Sequence, residues 1–176
     1  IGDGDYAKRT HFLKAVILSC QAVMEYADRY ARLAIQMADE CSDPVRKQEL
    51  LMIAHNCNRV PAKGATNFYE ACQSFWFIQM LLQTESSGHS ISPGRFDQYM
   101  LPYYQADIAA GVLSREDALA LLEEFFLSFN RDSDLYTGMQ QGDNGQSMML
   151  GGCDREGNCA VNDLTYLCLD ASLHVS

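Results

Sequence analysis

Apolar residues repeat with a helical period over most of the chain. From Tyr6 to about Glu40, Phe12, Val16, Cys20, Val23, Ala27, Tyr30, Ala34 and Met37 recur at steps of three and four, which sets them on one helix face. Glu25, Asp28, Arg29, Arg32 and Asp39 fall mostly off that face. A helix of about 35 residues is a rod of roughly 50 Å. Such a rod is long for a small domain and points to a larger parent. Ile17, Leu18 and Leu33 broaden the stripe beyond the narrow seam of a coiled coil. Asp43-Pro44 then predicts a helix start, with Asp as N-cap and Pro at the first helical position. That helix is expected to end at Ala54 or His55, followed by a polar exit loop through Pro61, where His55 and Cys57 serve as loop or packing residues.

A third helix, capped by Thr66, carries Phe68, Ala71, Cys72, Phe75, Trp76, Ile78, Gln79, Met80 and Leu82 and is apolar nearly all round. It belongs in a core with neighbours on every side. It ends near Glu85 and delivers a cluster of Ser, Gly, His and Pro over residues 86–94, then Arg95-Phe96-Asp97-Gln98-Tyr99. Phe96 to about Ala110 reads as helix with a kink or late start at Pro102 and a stop at Gly111. Ser114-x-x-Asp117 opens an amphipathic helix over 115–129. Residues 130–145 lose periodicity and are rich in turn formers. Residues 146–152 read as a short buried strand, Asp154–Asn158 as a turn, and Asn162 as the cap of a last helix bearing Leu164, Leu167, Cys168 and Ala171.

Composition adds bounds. At 176 residues, 48% hydrophobic and 20% charged, the chain is long and apolar enough to fold around a core. The net charge of −10 argues against a nucleic-acid-binding surface. Seven cysteines, an odd number with no C-x-x-C pair and mostly within apolar helical patterns, fit a reducing compartment better than a disulfide framework. Cys153 and Cys159 flank the 154–158 turn, but no further ligands stand at a usual zinc spacing. No signal peptide and no apolar run long enough to span a membrane occurs, and a cytoplasmic location is expected. The first and last residues look like cut ends of a longer protein.

Candidate chemistry concentrates at 83–99. His89, Ser90, Ser92 and Asp97 offer hydroxyls, one imidazole and one carboxylate, a set that can hold a small polar substrate and assist proton movement near neutral pH. The same residues also read structurally: Ser90 and Ser92 as turn caps, Asp97 as a partner of Arg95 or a helix cap. Arg95 is an ion-pair partner or an anion clamp. Glu85 is a poised carboxylate or a cap on the following loop. Gln140, Gln141, Asp143 and Asn144 line a pocket or satisfy loop backbone groups. Gly142-Asp143-Asn144-Gly145 lacks the ligand alternation of a calcium loop. No nucleophile elbow, phosphate loop, dinucleotide fingerprint or H-E-x-x-H motif is present. Residue spacing alone therefore supports a helical scaffold with one or two site-like loops and names no reaction.

Longer stretches carry a resemblance. Val60-Pro61, then Phe68-Tyr69-Glu70-Ala71-x-Gln73-Ser74-Phe75-Trp76-Phe77-Ile78-Gln79, then Glu85 through Tyr99 resemble the glycyl radical enzymes, the family of pyruvate formate-lyase and the glycerol and diol dehydratases. Met149-Leu-Gly-Gly-x-Asp154-x-x-Gly157-Asn158 and Leu164-x-Tyr166-Leu167 are similar to that family's strand-turn-helix. The resemblance implies an α-rich segment of an α/β protein: helices surrounding part of a ten-stranded barrel, with one or two short strands in this chain. It implies one segment, residues 1–176, of a larger domain without an internal boundary. It implies a lyase or dehydratase, or a formate C-acetyltransferase-like enzyme, that cleaves a C–C, C–O or other C–X bond of a small polar substrate by thiyl-radical hydrogen abstraction, with His89, Ser90, Ser92 and Asp97 in contact with that substrate and His89 aiding proton transfer. A backbone glycyl radical outside this chain would be installed by an activating enzyme carrying an iron–sulfur cluster and S-adenosylmethionine, and this chain would bind no metal. A homodimer is expected of the whole protein, with neither nucleic acid nor membrane as partner. The family's Gly-Cys-x-Glu and Arg-Val-x-Gly-Tyr motifs are absent from these residues, so the segment alone is expected to be inactive. The competing reading is a non-catalytic helical interaction module or a homologue without radical chemistry. Apolar side chains around Phe75-Trp76-Phe77 are expected to be exposed on the isolated segment.

Overall fold

The computed structural model describes residues 3–85, 91–129 and 147–176. The chain divides into two compact units, Ile1–Gly64 and Ala65–Ser176.

The first unit is a helical hairpin. Helix α1, Asp3–Glu40, is 38 residues long, and α2 spans Pro44–Arg59. The Asp43 carboxylate accepts the Val45 N–H at 2.9 Å, the cap that the Asp-Pro pair predicts. The buried stripe of α1 differs from the expected one. Ala27, Ala31, Ala34 and Ala38 are buried, whereas Tyr30 and Met37 are 46% and 45% exposed and Phe12 is 69% exposed. Alanine has the smallest side chain that still favours a helix, so an alanine stripe lets a second backbone approach closely. Helix α2 packs against α1 and contributes buried Leu50, Ala54 and Cys57. It also runs one turn past the expected end. Asn56 and Cys57 are buried helical residues rather than parts of an exit loop, and burial pushes the Cys57 thiol up to about 11. His55 is exposed.

The second unit holds α3, Phe68–Glu85, then α4, Phe96–Tyr99, α5, Leu101–Ala110, α6, Arg115–Ser128, and α7, Asp163–His174. Asn67, not Thr66, caps α3: its side chain accepts the Glu70 N–H at 2.8 Å. The Glu70 carboxylate in turn accepts from the Thr66 N–H and hydroxyl at 2.8 and 2.9 Å. A second carboxylate, Asp107 of α5, takes the Phe68 N–H at 2.7 Å. Negative charge at a helix N-terminus is favourable because the first amides are unpaired there and the helix dipole points its positive end outward.

Pro102 lies in the first turn of α5, which starts anew after Met100, and Gly111 ends α5 in a left-handed conformation, both as the sequence predicts. Ser114 caps α6 by accepting the Asp117 N–H at 3.0 Å, and its hydroxyl donates to the Asp117 carboxylate at 2.7 Å. Asn162 and Thr165 form a reciprocal capping box at α7.

These helices enclose one core: Phe68, Ala71 and Cys72 from α3, Phe96 from α4, Tyr104 from α5, Leu122 and Phe125 from α6, and Leu164, Leu167, Cys168 and Ala171 from α7. Phe75 and Trp76 pack against it and Phe77 is buried, so the exposed apolar side chains expected around these three are Ile78 and Leu82 rather than the aromatics themselves. The short strand expected over 146–152 is likewise reduced. Among the described residues the segment makes a single parallel bridge, Gly94 with Met148, and no named strand. One paired residue on each side cannot extend into a ladder without further hydrogen-bonding partners. The 154–158 turn is present, closed by an antiparallel bridge between Cys153 and Cys159. No described helix is long and apolar enough to cross a membrane.

Candidate functional site

Residues 91–95, the described part of the junction between α3 and α4, are fixed from both sides. On the α3 side, Gln79 Nε2 donates to the Ile91 carbonyl at 2.6 Å. On the α4 side, the Tyr99 hydroxyl donates to the Pro93 carbonyl at 2.8 Å and folds the segment back on itself. Aromatic packing then anchors it. The Phe96 ring stacks on Phe125 at 5.2 Å and meets Phe75 edge-on at 6.0 Å, while Tyr99 stacks on Phe75 at 6.3 Å. Burial, with smaller contributions from Cys72 and Cys168, raises the Tyr99 phenol well above its ordinary value. At neutral pH it is therefore a neutral hydrogen-bond donor.

The segment is also zipped to residues 147–165. Ser92 Oγ accepts the Ser147 N–H at 3.0 Å, and the Gly94 carbonyl accepts the Met149 N–H at 2.8 Å. Arg95 Nη2 donates to the carbonyls of Gly151 and Cys153 at 3.2 and 2.8 Å. Gln98 Nε2 donates to the Ala160 carbonyl at 2.8 Å, and Asn162 Nδ2 donates to the Asp97 carbonyl at 3.2 Å.

Asp97 sits at the centre of this lattice and is fully buried. Its Oδ2 accepts the Gly151 N–H at 2.7 Å and the Thr165 hydroxyl. Thr165 Oγ1 also accepts the Asn162 N–H at 3.0 Å, so the carboxylate is tied directly to the α7 cap. The other oxygen, Oδ1, is buried without a hydrogen-bond partner among the described residues. A buried carboxylate oxygen left unpaired is costly, and a donor at that position would be strongly held. The Asp97 charge is felt one turn along α7. Burial first, then Asp97, pushes the Cys168 thiol up to about 12. Burial likewise holds Cys72 as a thiol, with Cys168 adding to the shift. Neither is a nucleophile at neutral pH.

Of the four expected site residues, Ser92 and Asp97 lie on this junction. His89 and Ser90 lie outside the described residues, as do Gln140, Gln141, Asp143 and Asn144. Arg95 meets backbone carbonyls, and Glu85 is exposed at the end of α3. Spacing alone does not reveal the long-range partners. Gly151 falls in the expected 146–152 strand and Asn162 at a helix cap, and neither reading points to Asp97. No cluster of three or more metal-ligating side chains occurs among the described residues.

The described part is thus a helical scaffold that presents one polar segment on a rigid support. The chain belongs to the pyruvate formate lyase-like family, whose sequence model matches residues 2–176. It is 39% identical over 178 residues to the (2S)-3-sulfopropanediol dehydratase of Klebsiella oxytoca, covering 98% of this chain and 22% of that enzyme. A solved structure describing 1,2-propanediol dehydration in Roseburia inulinivorans matches with a TM-score of 0.88 and 44% identity, over 99% of this chain and 23% of that one. The glycerol-bound B12-independent glycerol dehydratase of Clostridium butyricum matches with a TM-score of 0.85 and 39% identity, over 98% and 22%. The chain therefore spans about a fifth of the length of the relatives it matches.

Proposed function

We propose that this chain is a scaffold and substrate-contacting segment of a glycyl radical enzyme that eliminates a group from a small hydroxylated molecule. The observation that carries this reading is the continuous family match over residues 2–176, through a segment in which Ser92, Arg95, Asp97 and Gln98 are held by hydrogen bonds to residues 147–165. Dehydratases and isethionate sulfite-lyases both occur among the relatives, and the 44% identity to the structure describing 1,2-propanediol dehydration supports C–O cleavage. On this reading the helices here surround part of the barrel of the whole enzyme, and both compact units belong to a single larger domain.

The chemistry supplied from outside these residues is hydrogen-atom abstraction. It starts from a glycyl radical set by an activating enzyme that uses S-adenosylmethionine and an iron–sulfur cluster. The residues of this chain bind and orient. His89 and Ser90 contact substrate hydroxyls, and His89 moves a proton at the departing oxygen. Ser92 contributes its hydroxyl at the edge of the same segment. Asp97 is fully buried and acts from behind the segment: its Oδ1 accepts from a protein donor next to it. Its Oδ2 meanwhile fixes the loop at Gly151. The whole protein is proposed to be a cytoplasmic homodimer that works without oxygen.

The test is anaerobic activation of the full-length protein, with propane-1,2-diol and glycerol as substrates. A glycyl doublet by electron paramagnetic resonance and product formation are expected. His89→Ala should keep the doublet and lose turnover by on the order of 100-fold or more. A protein that takes no radical, or a His89→Ala variant with unchanged turnover, would refute the assignment.

A further inference from the structure

The 153–159 hairpin carries chemistry that the substrate reading does not use. Cys153 and Cys159 form an antiparallel bridge, and both thiols are free and exposed. The bonds flanking the bridge define its kind: Asp154 N–H donates to the Asn158 carbonyl at 2.9 Å, and Ala160 N–H donates to the Gly152 carbonyl at 2.8 Å. Those bonds join the neighbours of the two cysteines, so the cysteines themselves are a non-hydrogen-bonded pair. In such pairs the opposing Cα atoms stand about 4.5 Å apart with side chains on the same face. Disulfides span Cα separations of about 4.4–6.8 Å. The turn between them is preformed. The Asp154 carboxylate accepts from the Glu156 N–H, the Asn158 N–H and Asn158 Nδ2 at 3.0, 2.8 and 3.0 Å, and Gly157 takes φ 86°.

We propose that Cys153 and Cys159 are a surface dithiol that closes to a cross-strand disulfide by exchange with low-molecular-weight disulfides. One cysteine thiolate attacks the small disulfide, whose S–S bond breaks and releases one small thiol. The second thiolate attacks the protein sulfur of the mixed disulfide, forming the Cys153–Cys159 bond and releasing the second small thiol. The protein gives up two electrons and two protons, and the small disulfide is reduced to two thiols. Closure acts on the candidate site's support, because Arg95 holds the Cys153 carbonyl and Gln98 holds the Ala160 carbonyl.

The test treats the full-length, reduced protein with glutathione disulfide under argon, followed by alkylation and peptide mass mapping. The expected result is a peptide pair joined at Cys153 and Cys159, lighter by two hydrogens, with both alkylation sites lost. Cys159→Ser should trap a stable glutathione adduct on Cys153 that the unmodified protein does not accumulate. Persistent alkylation of both cysteines, stable glutathione adducts in the unmodified protein, or a link from either cysteine to a different one would each overturn the proposal.

Discussion

Asp97→Ala tests the junction most directly. The substitution removes Oδ2, which accepts from the Gly151 N–H at 2.7 Å and from the Thr165 hydroxyl. Both donors are buried, so each is left unsatisfied at about 1–3 kcal/mol, or about 2–6 kcal/mol together. Asp97→Asn behaves differently. It keeps one carbonyl oxygen of the same shape and exchanges two charge-assisted bonds for neutral ones, a loss of about 1 kcal/mol each. It also removes a buried charge with no cation among the partners described above, which offsets part of that loss. The ordering should therefore be wild type, then Asn within about 2 kcal/mol, then Ala. Hydrogen exchange of the peptide containing Gly151, read by mass spectrometry in the full-length protein, reports the opening free energy. At about 1.4 kcal/mol per tenfold, Ala should speed the Gly151 amide by about 30-fold or more and Asn by less. Amides of α2 should not change. Exchange within about threefold of wild type for Asp97→Ala, or an Asn variant as open as Ala, would show that the carboxylate does not hold the loop.

Other perturbations separate the contributions around this lattice. Asn162→Ala loses the α7 cap and should cost about 1 kcal/mol in urea unfolding, whereas Asn162→Asp keeps the capping acceptor but turns a carboxylate oxygen toward the Asp97 and Ala160 carbonyls. Gly151→Ala should destabilise more than Gly157→Ala. Both have positive φ, but a Cβ at 151 would stand 2.9 Å from Val161 Cγ2 while one at 157 meets nothing within 4 Å. Ala31→Leu should lower the melting temperature by overpacking the α1–α2 contact, at about 1–3 kcal/mol. Asp154 is held below the usual carboxylate range, first by the Asn158 side chain and then by the Asn158 N–H. A depressed folded value means that the contribution is complete above the unfolded pKa and is lost as pH falls through the folded one. The hairpin amides should therefore shift only on the acid side of about pH 4 in an NMR titration, and Asp154→Asn should abolish that step.

What the sequence could tell and what it could not divide along a physical line. Local signals were readable: Asp43-Pro44, Ser114, Asn162 and Gly111 each act within one turn of the residue that carries them, and each marks its helix end. Signals that depend on a distant partner were not. Thr66 and Asn67 are both competent caps, and the α3 terminus also draws on Asp107, 39 residues away from Phe68. The alanine stripe of α1 was hidden because a hydropathy pattern weights Phe12, Tyr30 and Met37 above Ala31, although backbone approach favours the small residue. At the candidate site, the polar composition of 83–99 was visible, but not that Asp97 reaches Gly151 and Thr165.

The means of attachment also matters for how this junction can support chemistry. Arg95 and Gln98 donate to backbone carbonyls, and Asp97 accepts a backbone N–H. Backbone partners keep their positions whatever side chains the partner loop carries, so most of 151–160 can vary without releasing the segment. The glycines are the exceptions: Gly151, Gly152 and Gly157 all take positive φ, and Gly151 also stands close to Val161. The sensitivity is thus one-sided. Changes at Arg95, Asp97 or Gln98 should loosen the junction, whereas changes at exposed Arg155 or Glu156 should leave it in place. Hydrogen exchange at Gly151 and Ala160 in Arg95→Ala and Arg155→Ala variants distinguishes the two. Equal effects from both would mean that turn side chains, rather than the backbone lattice, hold the segment.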